Sequence, residues 1–305
     1  MRVAVVDIGT NSTRLLIADV RSGERVEDLQ RESIVTRLGD GVDASGRLGD
    51  EAMQRVFDVL ARYRAAIDGH GVTTTTAVLT SAVRDAANGA DFTAQVRERF
   101  GLDARTIDGD EEASLTFSGA TSERPRDGRE VVVIDIGGGS TEFVTGRDGE
   151  VAFHVSTQAG VVRQTERHLH DDPPPPEQLQ ELAAEVRDIV TGAVPADVRE
   201  RVELGIAVAG TATQCASIEL ELEPYDPARV HGHVLELATC EMLLSRLAQM
   251  SDSQRREVVG LHPDRAPTIV AGIAMLVEIL RAFGLDRVEV SEHDILRGTA
   301  LKLAS

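Results

Sequence analysis

The stretch VVVIDIGGGSTEFVT, Val131 to Thr145, decides how this chain is read. Val131, Val132, Val133 and Ile134 form a β-branched run too short for a helix, which predicts a buried central strand. Asp135 comes directly after it. Gly137-Gly138-Gly139 then lets the backbone turn sharply with its N–H groups exposed, and Ser140-Thr141 add hydroxyls, a combination suited to an anion such as phosphate. The next run, Glu142 to Arg147, is strand-like again, and the single lysine is Lys302. The turn is therefore not a Walker-type P-loop but a β-turn-β hairpin.

The same hairpin opens the chain. Val3 to Val20 (VAVVDIGTNSTRLLIADV) lies over Val131 to Asp148 at a constant offset of 128 residues with no gap. Seven of the eighteen positions are identical: Val3/Val131, Val5/Val133, Asp7/Asp135, Ile8/Ile136, Gly9/Gly137, Ser12/Ser140 and Thr13/Thr141. Identity centred on a polar turn points to a duplicated unit. Each copy continues as a meander, through Arg21-Ser22-Gly23-Glu24 to a strand Arg25–Leu29, and through Arg147-Asp148-Gly149-Glu150 to a strand Val151–Ser156. Two similar α/β domains are expected, 1–122 and 123–305, each a mixed sheet with flanking helices, facing each other across a cleft with both turns at its floor.

Between the hairpins, Met53, Val56, Phe57, Leu60 and Ile67 recur at helical spacing over Asp50–Ile67. A strand Thr73–Leu79 ends in Thr80-Ser81 and leads to a segment carrying Arg84. A helix Phe92–Phe100, a strand Ala104–Ile107 and a helix from Glu111 to about Ser122 complete the first domain. Asp108 stands three residues before Glu111 as in a capping box, placing Glu112 in the first turn or so. On that helix Ala113, Phe117 and Ala120 are assigned to the core, and Glu112, Thr116 and Gly119 to the cleft side. The stretch Thr121–Arg129, with Pro125 and Gly128 and no apolar residue, is the expected crossover.

The second half predicts helices Val161–Leu169, Pro176–Val190, Met242–Met250 and Pro267–Phe283, with Pro173–Pro176 as a stiff exposed spacer. A strand Val202–Ala209 runs into Gly210-Thr211 and another helix, a small polar turn at a sheet's C-terminal edge. A late strand Val288–Val290 and a closing helix Ile295–Ala304 complete the chain, the helix expected to pack back on the first domain.

Composition narrows the partners. The 305 residues allow two domains, each large enough for its own core. Aromatic residues make up 3% and the formal net charge is -19, which argue against nucleic acid. Screening and local N–H groups, arginines or metal ions still admit a short polyanion entering a cleft. Asp7 and Asn11 interrupt any apolar leader, so no signal peptide is expected. Ile269–Leu280, broken by Glu278, is too short for a membrane span. Cys215 and Cys240 lack metal or redox spacing, and a reducing cytoplasm is the expected compartment.

Paired DIGTNST and DIGGGST turns at this separation resemble the actin, sugar-kinase and heat-shock-chaperone ATPase superfamily, whose domains are ribonuclease H-like. The particular strings resemble its exopolyphosphatase and guanosine pentaphosphate phosphohydrolase branch. RLGDGVDASGRL (37–48), TSAVRDAANGADF (80–92), DGDEEASLTFSGA (108–120), AGVVRQTER (159–167), AVAGTATQCAS (207–217) and DRAPTIVAGIAML (264–276) fall in that family's order. Asp108 and Asp110 depart from the residues expected around the catalytic glutamate, and the larger members' C-terminal extension has no counterpart.

The resemblance implies a metal-assisted phosphohydrolase acting on the terminal phosphate of polyphosphate, short chains foremost, with guanosine pentaphosphate as the alternative substrate. It implies Glu112 as the base, since the family's catalytic glutamate precedes an alanine, although acids are ordinary in a first helical turn. It implies Arg84 and Asn88, and Arg265, as phosphate-facing residues. The turns themselves offer Asn11, Ser12, Gly137, Gly138, Gly139, Ser140, Thr141, Gly210 and Thr211 to the substrate. Asp7, Asp135 and Glu142 are the expected ligands of magnesium or manganese. An ATP-dependent kinase or a non-catalytic polyphosphate binder is the competing class, without a distinct adenine-binding signature in the residues. A homodimer, with no membrane partner, is a further expectation. His231 and His233 have no third ligand at metal spacing and are read as structural, as is His293-Asp294.

Overall fold

The two matching stretches become the first hairpins of two separate sheets. A computed structural model describes residues 1–21 and 25–304. The chain divides into unit 1, Met1–Ser122 with Asp294–Ser305, and unit 2, Glu123–His293. The second domain expected at 123–305 therefore gives its last segment to unit 1. Residues 22–24 of the expected first meander turn lie outside the described residues.

Unit 1 runs β1 (Arg2–Ile8), β2 (Ser12–Arg21), β3 (Arg25–Val35), α1 (Val42–Ser45), α2 (Asp50–Gly69), β4 (Thr74–Leu79), α3 (Ser81–Asp85), α4 (Gly89–Phe100), β5 (Asp103–Thr106) and α5 (Gly109–Thr121). Unit 2 runs β6 (Val131–Ile136), β7 (Thr141–Arg147), β8 (Glu150–Thr157), α6 (Val161–His168), α7 (Pro176–Ala193), α8 (Ala196–Arg201), β9 (Leu204–Val208), α9 (Ala209–Glu219), α10 (Pro227–Val230), β10 (Val234–Glu236), α11 (Leu237–Ala248), α12 (Asp252–Arg255), α13 (Ala266–Phe283) and β11 (Arg287–Val290). The closing helix α14 (Ile295–Ala304) belongs to unit 1.

The sheets share a plan. Unit 1 orders its strands β3-β2-β1-β4-β5, and unit 2 orders them β10-β11-β9-β6-β7-β8. In each, an antiparallel meander is extended by parallel strands alongside β1 or β6. Even the turns close alike: Gly9 N–H donates to the Ser12 carbonyl and Gly137 N–H to the Ser140 carbonyl, both at 3.0 Å. At the second meander turn Asp148 and Gly149 both have positive φ, 54° and 89°, as a tight hairpin with right-handed strand twist requires.

Side chains alternate across β1, so its two faces meet different helices. Ala4, Val6 and Ile8 pack with Val56, Phe57, Leu60 and Tyr63 of α2 and Phe92 and Val96 of α4. Val3 and Val5 pack instead with Leu296 and Ala300 of α14. This apolar face is why the chain's last helix returns to the first sheet. Asp7 shares the parity of Val3 and Val5 and so lies on the α14 side.

α14 is held against α5 by two glycines. A Cβ on Gly119 would come within 2.0 Å of the Asp294 carbonyl oxygen, and one on Gly298 within 1.8 Å of the Leu115 carbonyl oxygen. Gly119, expected on a cleft-facing side, is thus a helix-packing residue, because a helical face alone does not say which neighbour covers it. The capping box is also half formed: Asp108 accepts from the Glu111 N–H at 2.8 Å, but the Glu111 carboxylate turns to Arg105 and Lys302. In unit 2, α13 lies at the centre of a core shared with α7, α9 and α11. The segment Pro263–Phe283 is long and apolar enough to cross a bilayer, contrary to the length expected from sequence, but is mostly buried within unit 2. Its Glu278 is neutralised by Arg187 at 2.9 Å and Arg281 at 2.6 Å. Of the proline spacer, Pro174 is buried rather than exposed.

Adding a methyl at the α5–α14 contact forces one of two backbones to move. Gly119→Ala or Gly298→Ala is expected to lower the unfolding free energy by about 1–3 kcal/mol in denaturant titration. Gly192→Ala on α7, where a Cβ meets nothing within 4 Å, is expected to be neutral or slightly stabilising.

Candidate functional site

Each unit carries a half-site around its hairpin, and the two differ in charge. In unit 1, Asp7 of β1 stands opposite Arg14 of β2. In unit 2, the same register sets Asp135 opposite Glu142. The offset of 128 that aligns the hairpins also aligns Arg14 with Glu142, so one copy pairs acid with base and the other acid with acid. Like charges directly opposite on neighbouring strands oppose pairing unless something positive joins them.

Arg14 is the hub of the unit 1 half-site. Its Nε and Nη2 donate to Asp7 Oδ2 at 2.7 and 2.6 Å, and its Nη1 donates to Asp294 Oδ2. Arg31 Nη2 reaches Asp294 Oδ1 at 3.1 Å, and that oxygen also accepts the Leu296 N–H at 3.0 Å in the first turn of α14. Burial pushes the Asp7 carboxyl above its ordinary range despite Arg14. Asp294 is buried too, but Arg14, Arg31 and the Leu296 N–H outweigh desolvation and hold it below its ordinary value. Arg14 was not singled out from sequence; an arginine in a strand reads as a solvated side chain. The signal was its alignment with Glu142.

Glu112 sits in the first turn of α5, 7% exposed. Its Oε2 accepts from Arg84 Nη1 at 2.9 Å, and the same Nη1 donates to the Ile107 carbonyl at 3.0 Å. Burial raises the Glu112 carboxyl above the usual range, Arg84 opposes this, and the charge of Asp7 adds to it. Glu112 and Arg84, each expected at the site on its own, are bonded to each other. Two buried polar atoms beside the first turn have no hydrogen-bond partner among the described residues, Asn11 Nδ2 and Ser81 Oγ. Unmet buried donors are costly, and a ligand oxygen would satisfy them. Ser81, at the start of α3 after Thr80, was not assigned from sequence.

Asn88 is different. Its amide accepts the Leu48 N–H at 2.8 Å and donates to the Leu48 carbonyl at 3.0 Å, closing a loop inside unit 1. It is not offered to a ligand. Ser12, half-buried, begins β2 at the turn.

In unit 2, the glycine loop is fixed from behind by α6. The Val161 and Val162 N–H groups donate to the carbonyls of Gly137 and Gly138, each at 2.9 Å. In a planar trans peptide C=O and N–H point oppositely, so the amides of Gly138 and Gly139 point away from α6. Gly160 permits the approach, since a Cβ there would lie 2.4 Å from the Gly138 carbonyl. Ser140 is buried in the turn. Thr141 is not available as expected: its hydroxyl donates to the Ala159 carbonyl at 2.5 Å. Its counterpart Thr13 is likewise engaged internally, with Thr36 at 3.0 Å.

At the end of β9 the chain enters α9 through Ala209, whose φ of 65° is costly for a residue with a Cβ. The turn brings Gly210 under Arg265, where a Cβ would meet the guanidinium Nη1 at 2.5 Å. Gly210 thus lies against Arg265, and the neighbouring Thr211 is buried.

The donor set suits a hard divalent cation at the second hairpin better than at the first. Asp135 and Glu142 are both buried oxygen donors, and Ser156 Oγ orients Glu142 by donating to Oε1 at 2.7 Å. Asp7 Oδ2 is instead committed to Arg14.

Two mixed-sheet units with paired phosphate hairpins, one with a buried glutamate beside an arginine, define the class of actin-like phosphate-handling proteins. The chain belongs to the Ppx/GppA phosphatase family, whose model matches residues 16–303. It is 38% identical over 315 aligned residues to Exopolyphosphatase 2 of Mycobacterium tuberculosis, covering 99% of this chain and 98% of that one. The Aquifex aeolicus Ppx/GppA family member shares the fold with a TM-score of 0.84 at 30% identity, covering 100% of this chain and 97% of that one. An exopolyphosphatase from Cytophaga hutchinsonii does so with a TM-score of 0.88 at 26% identity, covering 100% and 98%.

The strain at Ala209 gives a direct test of this turn. Ala209→Gly is expected to raise stability by up to about 1 kcal/mol in thermal or denaturant unfolding, because it removes the left-handed penalty.

Proposed function

We propose that this chain is an exopolyphosphatase that removes the terminal phosphate of inorganic polyphosphate by attack of water. The observation that carries this reading is Glu112: a buried carboxylate with a raised pKa, bonded to Arg84, in the unit whose phosphate turn presents Asn11. The identity to a named exopolyphosphatase along nearly the whole chain supports the substrate.

In this mechanism Glu112 takes a proton from water as the water oxygen attacks the terminal phosphorus in line, and the bridging oxygen leaves on the shortened chain. Arg84 offsets charge that develops on the phosphoryl oxygens while orienting Glu112. Within unit 1, Asn11 and Ser12 are the proposed phosphate contacts; within unit 2, they are the amides of Gly138 and Gly139 with Ser140, Gly210, Thr211 and Arg265. Arg14 holds Asp7 in place through Oδ2. Asp135 and Glu142 would hold magnesium or manganese, which supplies neutralising charge to the polyanion when bound.

Polyphosphate is favoured over guanosine pentaphosphate by the exopolyphosphatase relative, and one of the two tyrosines is closed to a base. Tyr63 is fully buried with its hydroxyl on the Thr13 carbonyl at 2.9 Å, and the Tyr225 hydroxyl is held by Glu292. Burial closes the Tyr63 ring to a base, whereas the Tyr225 ring is 41% exposed. The net charge of -19 disfavours a long polymer lying across the surface, so short chains released after each turn are the proposed substrates.

Three measurements test the reading. Glu112→Gln is expected to lower kcat by ~10²- to 10⁴-fold while substrate binding persists, and near-normal turnover would remove Glu112 from the role of base. Arg84 stabilises the charged form of Glu112, so Arg84→Gln raises its pKa, and the acid limb of kcat/KM against pH is expected to move to higher pH. In magnesium, kcat/KM is expected to be higher for short polyphosphate than for guanosine pentaphosphate or for very long chains. A steady rise up to long polymers would overturn the short-chain claim, and a preference for the nucleotide would overturn the substrate.

A further inference from the structure

Unit 2 gathers two imidazoles and a carboxylate that belong to neither hairpin's sequence. One ligand atom each from Glu123, His231 and His293 lies within 4.8 Å of the others. The histidine rings are 4.1 Å apart between centroids and tilted by 37°. His293 Nδ1 is 3.9 Å from Glu123 Oε2. Both rings sit on backbone that the fold pins in place. Gly232 N–H donates to the Val290 carbonyl at 2.8 Å, and Ser291 N–H to the Ala207 carbonyl at 2.9 Å. Ser291 Oγ bonds both the N–H and the carbonyl of His293 at 3.0 Å.

We propose that Glu123, His231 and His293 form a binding site for a divalent transition-metal ion, zinc being the best match, distinct from the carboxylate pair Asp135 and Glu142. Two nitrogen donors and one carboxylate suit zinc, cobalt or nickel, whereas magnesium prefers oxygen. Bonds of about 2.0–2.2 Å require the donors to draw in by about 1 Å, which Glu123 supplies by rotating its exposed side chain. Glu292 N–H donates to His231 Nδ1 at 3.2 Å. Metal entry gives up this bond whichever ring nitrogen is used, because the other choice puts the ring proton on Nδ1. The site is therefore one of reversible binding rather than a permanent structural centre.

Its place in the chain gives it a consequence. Glu123 is the first residue of unit 2 and His293 the last, so the ion ties together the two segments by which the chain enters and leaves that unit.

The test is calorimetric titration of the full chain with Zn²⁺ in saturating Mg²⁺, which occupies the oxygen sites. One Zn²⁺ per chain is expected, with affinity falling by at least ~10-fold in His231→Ala and in His293→Ala. Glu123→Gln, at an exposed position that does not burden folding, is expected to weaken binding in the same direction. His70→Ala in unit 1 is expected to leave it unchanged. Cobalt-substituted protein is expected to show visible absorption that disappears in the histidine variants. Absence of Zn²⁺ binding, its retention in both histidine variants, or its displacement by Mg²⁺ would overturn the proposal.

Discussion

Gly119 and Gly298 let α5 and α14 meet backbone to backbone, and the charge network of unit 1 depends on that contact. With α14 seated there, Asp294 at its start reaches Arg14, and Arg14 in turn reaches Asp7 at the end of β1. A buried carboxylate without such a partner would neutralise itself or pull water into the core. The same contact fixes the first turn of α5, where Glu112 meets Arg84. A side chain at either glycine would press on the phosphate turn through a chain of named bonds rather than by direct contact.

The two hairpins keep one backbone plan and differ in charge at one cross-strand position. Both keep the strand, the aspartate and the closing Gly-to-Ser bond. Where the first has Arg14 the second has Glu142. The first hairpin is thereby self-neutral and can serve as rigid support. The second sets two buried acids opposite each other, beside a glycine loop whose Gly138 and Gly139 amides point away from α6.

Much of this was legible in the sequence because strands and turns are local. The run Val131–Ile134, the glycines after it and the gapless offset of 128 placed both hairpins and the shared sheet plan. The family's motif order singled out Glu112, Arg84 and Arg265 one by one, but not the Glu112–Arg84 bond or the Gly210–Arg265 contact. What local patterns do not carry is direction. Asn88 and Thr141 were expected to face phosphate, but their side chains turn inward to Leu48 and Ala159. Gly119 was placed on the correct side of a helix and given the wrong neighbour. Arg14 went unnoticed because a single arginine in a strand acquires meaning only from its cross-strand partner. The His231–His293 cluster joins residues 62 positions apart, 293 less 231, whose proximity arises from the β10–β11 pairing rather than from spacing.

The return of α14 to the first sheet makes unit 1 discontinuous, with the whole of unit 2 inserted into it. On the ribosome, the face of β1 and β2 bearing Val3, Val5 and Leu16 therefore waits uncovered while unit 2 is synthesised, since its covering helix is made afterwards. Unit 2 is continuous and can fold first. The nascent chain thus passes through a stage in which an apolar sheet surface is held open while unit 2 is already finished, and that stage, rather than the completed protein, is where chaperone capture or aggregation would compete with folding.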